Sequence, residues 1–165
     1  MTPIRILILA ALVAFAGCAS YGSVAPGESA DQVRSRLGSP SDVWKDAGGA
    51  ETWEYRTAPA GWYTYMIDFG PDHAVRGVRQ VLSDEYFAKI QRGMPREEVH
   101  RLLGGPKQVN RFSRSNQEVW TWRFKQDNHW YRLFLVQFDE STGTVLGTYR
   151  IDDPTYYDKG GVGKG

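Results

Sequence analysis

The chain carries one cysteine in 165 residues, so no disulfide can form within it and its histidines have no cysteine pair to join in a zinc site. Neither sign of charge is in excess, with 20 Lys and Arg facing 19 Asp and Glu. Without a basic surplus nothing neutralises a run of phosphates, so nucleic acid is not an expected partner. An acidic solvating tail is missing too. The apolar run from Ile6 to Ala16 falls well short of the roughly 20 residues that span a bilayer. No nucleophile elbow, P-loop or HExxH motif occurs, and His73, His100 and His129 stand at no metal-ligand spacing. From the sequence we expect no enzyme, no cofactor and no metal site.

What is present begins at the first residues, "MTPIRILILAALVAFAGCAS". One positive charge at Arg5, the apolar run, small residues and then Cys18 make the layout of an export signal. "FAGC" resembles the lipobox of bacterial lipoproteins, with Phe15 where leucine is more frequent. That resemblance implies a signal peptide over 1–17, cleavage before Cys18 and a thioether-linked, palmitate-type lipid on its sulfur. Ala19 and Ser20 follow in place of an inner-membrane-retaining aspartate, which implies anchoring in the outer membrane with the body facing the periplasm. A transmembrane anchor, or a simple secretory signal that leaves a free thiol, is the competing reading. Losing Arg5 with the signal would leave a formally neutral protein.

A short unit occurs twice. "GESADQVRSRLGSP" (27–40) and "GMPREEVHRLLGGP" (93–106) align at an offset of 66 residues, matching Gly27 with Gly93, Val33 with Val99, Leu37 with Leu103, Gly38 with Gly104 and Pro40 with Pro106. Each reads as a helix that ends at a glycine, with a proline two places on. Ser29 and Gln32 make a capping box in the first, while Pro95, Glu97 and Glu98 favour the first turn of the second. The likeness continues through Trp53 and Tyr55 with Trp120 and Trp122, Trp62 and Tyr63 with Trp130 and Tyr131, Phe69 with Phe138, and Val75 and Gly77 with Val145 and Gly147. The offset grows only in turns, where folded units tolerate insertions. Alternating segments rich in Trp, Tyr, Phe and Val, separated by "GPDHA" and "DESTG", predict antiparallel hairpins. Between the copies, "SDEYFAKIQRG" (83–93) predicts a further helix starting at Ser83 with Tyr86, Phe87 and Ile90 inward.

The expected organisation is a lipid-tethered, extended leader over 18–26, a first repeat over 27–82, a second repeat with its leading helix over 83–152, and a flexible tail over 153–165. The expected fold class is α+β, two tandem units of helix-turn plus antiparallel sheet, with the helices packed on one sheet face.

"GMPREEVHRLLGGP", the "WTWRF" strand and the "VQFD" hairpin resemble the SmpA/OmlA domain of BamE, a small lipoprotein of the machine that inserts β-barrels into the outer membrane. The chain departs from that motif at Pro95, where threonine is usual, and carries Gly105 at a position the motif leaves variable. The resemblance implies an accessory or structural factor in outer-membrane protein assembly and envelope integrity, acting by protein binding, with the assembly machinery as candidate partner. Two copies in tandem also resemble the β-lactamase inhibitory protein fold, in which paired units join one broad sheet that grips another protein. That implies the alternative, a periplasmic inhibitor-like module unrelated to barrel assembly.

Alternation sorts the strands into two sides. Trp53, Tyr55, Trp120, Trp122 and Phe124, with Tyr65, Ile67, Phe69, Phe134, Val136 and Phe138, are the expected core. The other side carries Trp62, Met66, Tyr131, Leu133 and Leu135 beside Arg56 and Arg123, a composition typical of protein interfaces. These seven residues are the candidate partner-binding surface. The other repeat, the tail or a second copy could equally cover them, and the two arginines could meet an anionic lipid headgroup or serve as cross-strand charges.

Overall fold

A computed structural model describes residues 21–157; Cys18, the signal segment and residues 158–165 lie outside them. The first helix, α1 (Ala30–Leu37), starts where Ser29 Oγ accepts the Gln32 amide and Gln32 Oε1 accepts the Ser29 amide, the reciprocal pair expected of the capping box. It stops at Gly38, whose φ of 81° and ψ of −167° fall in a region open essentially to glycine alone. Four antiparallel strands follow, β1 (Asp42–Lys45), β2 (Glu51–Arg56), β3 (Thr64–Phe69) and β4 (Val75–Gln80). Next come a single helical turn, α2 (Asp84–Phe87), and α3 (Arg96–Leu103), which ends at Gly104 with φ 74° and ψ −178°. The second sheet orders β5 (Gln108–Phe112), β6 (Gln117–Gln126), β7 (Trp130–Asp139) and β8 (Val145–Asp152), and the described chain closes with α4 (Pro154–Tyr157). The class is α+β, two four-stranded antiparallel sheets with a few short helices. The strands form two sheets in place of one broad one.

Two apolar clusters fill the molecule. Val33 of α1 shares one with Trp53, Tyr55, Ile67, Phe69 and Val75. Val99 and Leu103 of α3 share the other with Phe87, Trp122, Phe124, Phe134, Val136, Phe138 and Val145. At roughly 1.5–3 kcal/mol for each fully buried large apolar side chain, these clusters set the register of every central strand, since a one-residue slip would turn them all outward.

The backbone bonds around the two longer helices match one for one. Gly27 N donates to Val75 O at 2.9 Å and Gly93 N to Val145 O at 2.8 Å; Ala30 N donates to His73 O and Arg96 N to Gly143 O, both at 2.9 Å. Tyr55 Oη donates to Gly38 O at 3.0 Å, and Trp122 Nε1 to Gly104 O at 3.1 Å.

Three expectations need correction, and two strands went unanticipated. The described part of the leader expected over 18–26, residues 21–26, is not an extended tether: Tyr21 stacks on Tyr65 with ring centres 5.0 Å apart, and Val24 is buried in the first cluster. An aromatic and a valine gain more from that core than from solvent. Residues 153–157 are not a flexible tail, because Asp153 is fully buried against Arg123 and Tyr156 stacks on Tyr131 at 3.5 Å. The helix expected over 83–93 is one turn, and Ser83 makes no side-chain cap bond. Finally, β1 and β5 were not predicted: each is a short edge strand, half-exposed or exposed along its length, with too few apolar residues to announce itself.

Candidate binding surface

The seven residues expected to form one open surface do not lie on one. Met66 is fully buried, in the same stretch of β2 and β3 as fully buried Glu54 and Thr64. Against that stretch lies the turn after α3: the Gly105 amide donates to Glu54 Oε1 at 3.0 Å. A Cβ at Gly104 would crowd Glu54 and Thr64, and one at Gly105 would collide with the Arg56 guanidinium. Gly105, variable in the sequence motif, is thus a close-approach position in this fold.

The two arginines have separate fates. Arg56 Nε holds Glu54 Oε1 at 2.8 Å, and Arg123 Nε holds Asp153 Oδ2 at 2.6 Å; both acids are fully buried. Burial pushes the Asp153 carboxyl up, but bonds from the Thr155 hydroxyl and Arg123, with the guanidinium charge, outweigh it and hold the group below the usual aspartate range. Each arginine therefore neutralises an internal carboxylate and is not a solvated cross-strand charge.

Trp62, Tyr131 and Arg123 do come together. The Trp62 and Tyr131 rings are 5.0 Å apart, with Arg123 Cζ 5.1 Å and Lys125 Nζ 5.2 Å from the Trp62 ring. These are cation–π distances, and with Tyr156 stacked on Tyr131 the cluster joins the loop before β3 and α4 to the end of β6 and β7. Bonding with Tyr156, then the Lys125 charge, lowers the Tyr131 phenol from its usual value despite an opposing desolvation.

Leu133 and Leu135 are half-buried and share the face of β7 that carries Tyr131, with Leu133 directly opposite Arg123 of β6. Leu133 pairs with Ile151 and Leu135 with Tyr149 across β7 and β8. Directly paired residues point to the same side of a sheet, so these four side chains share a face. Ile151 is 46% and Tyr149 55% exposed. Sequence reasoning missed both, although β8 alternates through 147, 149 and 151 in phase with Leu133 and Leu135; a bulge at Gln137/Phe138 shifts its phase relative to Val145.

Polar groups also converge where the sequence offered no motif. A matched pair of bonds, Trp53 Nε1 to Glu51 Oε2 at 2.7 Å and Trp120 Nε1 to Glu118 Oε1 at 2.6 Å, joins a buried acid to an indole in each sheet. Glu51 is held low by its bond to Lys45, then by Trp53. An open groove of about 500 Å³ lined by Arg34, Lys45, Glu51, Trp53 and His73 lies beside the first of these. Elsewhere Asp42, Glu54 and His100 bring one ligand atom each within 4.8 Å of one another. Among the described residues this is the group that could hold a metal ion.

No helix among the described residues is long and apolar enough to cross a membrane. No protein-family model matches the chain, and no curated protein matches it either. Solved structures similar to it include the following. One is an extracellular protein containing a SCP domain from Bacillus anthracis, 15% identical, covering 80% of this chain and 45% of that one, with a TM-score of 0.29. Another is a candidate β-lactamase inhibitor protein from Streptococcus mutans, 13% identical, covering 81% and 88%, with a TM-score of 0.32. The last is a cysteine-rich secretory protein from Staphylococcus aureus, 11% identical, covering 81% and 46%, with a TM-score of 0.27. The chain spans about half the length of the first and last of these. Similarity at this level assigns no function.

Proposed function

We propose that this chain is a lipoprotein anchored in the bacterial outer membrane through Cys18, acting by protein binding as a BamE-like accessory or structural factor in outer-membrane protein assembly. The observation that carries the anchor is the lipobox-like "FAGC" after an apolar run with one flanking arginine. The reading of two tandem helix-turn and sheet units draws support from the matched bonds at Gly27 and Gly93, at Ala30 and Arg96, and at Gly38 and Gly104. Duplication is the economical source of one hydrogen-bond pattern written twice at a nearly constant offset.

Protein binding draws support from the Leu133, Leu135, Tyr149 and Ile151 face, apolar and partly exposed on a formally neutral body. The test is an affinity capture of the lipidated protein from detergent-solubilised envelopes, alongside a Tyr149→Ala/Ile151→Ser variant. Barrel-assembly subunits recovered by the native chain and lost from the variant are the expected result. One unrelated soluble protein recovered in their place would support the inhibitor-like alternative, and equal recovery by both chains would remove this face from the reading.

A further inference from the structure

Asp42 and Glu54 are direct cross-strand partners in the register of β1 and β2. Like charges placed opposite one another destabilise a sheet, so the pair calls for a positive group between them. Arg56 does not fill that place. Its Nε meets Glu54 Oε1, the oxygen that also accepts the Gly105 amide, while Asp42 Oδ1 accepts the Val43 amide at 2.8 Å. What remains are Asp42 Oδ2 and Glu54 Oε2, and both stand 3.7 Å from His100 Nε2, brought in on α3.

That separation is too long for a hydrogen bond. It is close to the spacing of about 3.3–3.5 Å between two donors that each lie about 2.0–2.2 Å from one tetrahedral zinc ion. The second observation is independent of the spacing. Glu54 is fully buried, and its Oε2 has no hydrogen-bond partner, a state that costs free energy in a native protein unless something satisfies it. The imidazole is also confined, with the Trp44 ring edge-on at 5.2 Å and the Trp120 ring at 6.1 Å. His100 and Asp42 keep 29% and 44% of their side chains exposed, which leaves a route in from solvent.

We infer that Asp42 Oδ2, Glu54 Oε2 and His100 Nε2 form a binding site for a divalent transition-metal ion of the zinc type, with a fourth position open to water. One imidazole and two carboxylates suit zinc, whereas calcium asks for six to eight oxygens. The site joins the first sheet to α3, so an ion held there ties the two halves of the chain together and raises stability by mass action.

The test is calorimetric titration of the metal-free full chain with Zn²⁺, with thermal unfolding measured with and without the ion. Binding of one equivalent and a raised Tm are expected. His100→Asn and Asp42→Asn should each weaken binding at least tenfold and abolish the Tm rise, while His129→Asn, in an exposed turn, leaves both intact. Asp42 is part-exposed, so its variant remains informative if the His100 variant unfolds. No binding by the native chain, or equal binding by the native and His100→Asn chains, overturns the site.

Discussion

The Gly105 amide donates to the buried carboxylate of Glu54 at 3.0 Å, across 51 positions of sequence. The contact ties the turn that ends α3 to a strand of the other sheet, and a Cβ at Gly104 would crowd Glu54 and Thr64 there.

Comparing the two helix-ending glycines measures this contact. Gly38 and Gly104 have nearly the same backbone angles, but a Cβ at Gly38 meets nothing within 4 Å, whereas one at Gly104 crowds Glu54 and Thr64. Gly38→Ala should cost only the backbone strain, on the order of 1–3 kcal/mol. Gly104→Ala should cost more by urea unfolding, and equal losses would mean that the turn does not press on the sheet.

The buried Arg123–Asp153 pair gives a pH dependence of known sign. The folded Asp153 carboxyl titrates below its unfolded value, so it contributes stability that is fully present above the ordinary aspartate pKa of about 3.9 and is lost as pH falls through the folded value. Asp153→Asn should flatten the decline in urea midpoint on acidification below about pH 4. Arg123→Met, which leaves that carboxylate buried alone, should cost up to about 3 kcal/mol at neutral pH. An unchanged acid limb in the Asn variant would place the titration elsewhere.

The start of the described chain can be tested at Tyr21. Its ring contacts those of Tyr55 and Tyr65, at 5.9 and 5.0 Å, so Tyr21→Ala should lose about 1–2 kcal/mol through packing and ring contacts. Trp130→Ala, at a side chain 59% exposed, should stay within about 0.5 kcal/mol. Matching losses would show Tyr21 to be a loose leader.

Cys18 is tested by metabolic labelling. Cys18→Ser should lose incorporated palmitate and move the protein from the membrane to the soluble fraction. Retention of the label would place the lipid on another residue or disprove the anchor.

The sequence alone determined what lies inside each sheet. Period-two alternation and large apolar side chains picked out Trp53, Tyr55, Ile67, Phe69, Trp122, Phe124, Phe134, Val136 and Phe138, all buried, with Trp120 and Tyr65 only partly so, because burial of such groups dominates the choice of register. The capping box at Ser29 and the stops at Gly38 and Gly104 were equally legible, since caps are local chemistry. Alternation states which side a residue faces but not what covers that side. Only the tertiary structure placed the α3 turn against Glu54 and Arg56, buried Met66, drew Asp153 beneath Arg123, and left Tyr149 and Ile151 exposed beside Leu133 and Leu135. For the same reason His100, which the sequence put at no ligand spacing from anything, meets Asp42 and Glu54 only once a helix from one half has packed against a sheet from the other.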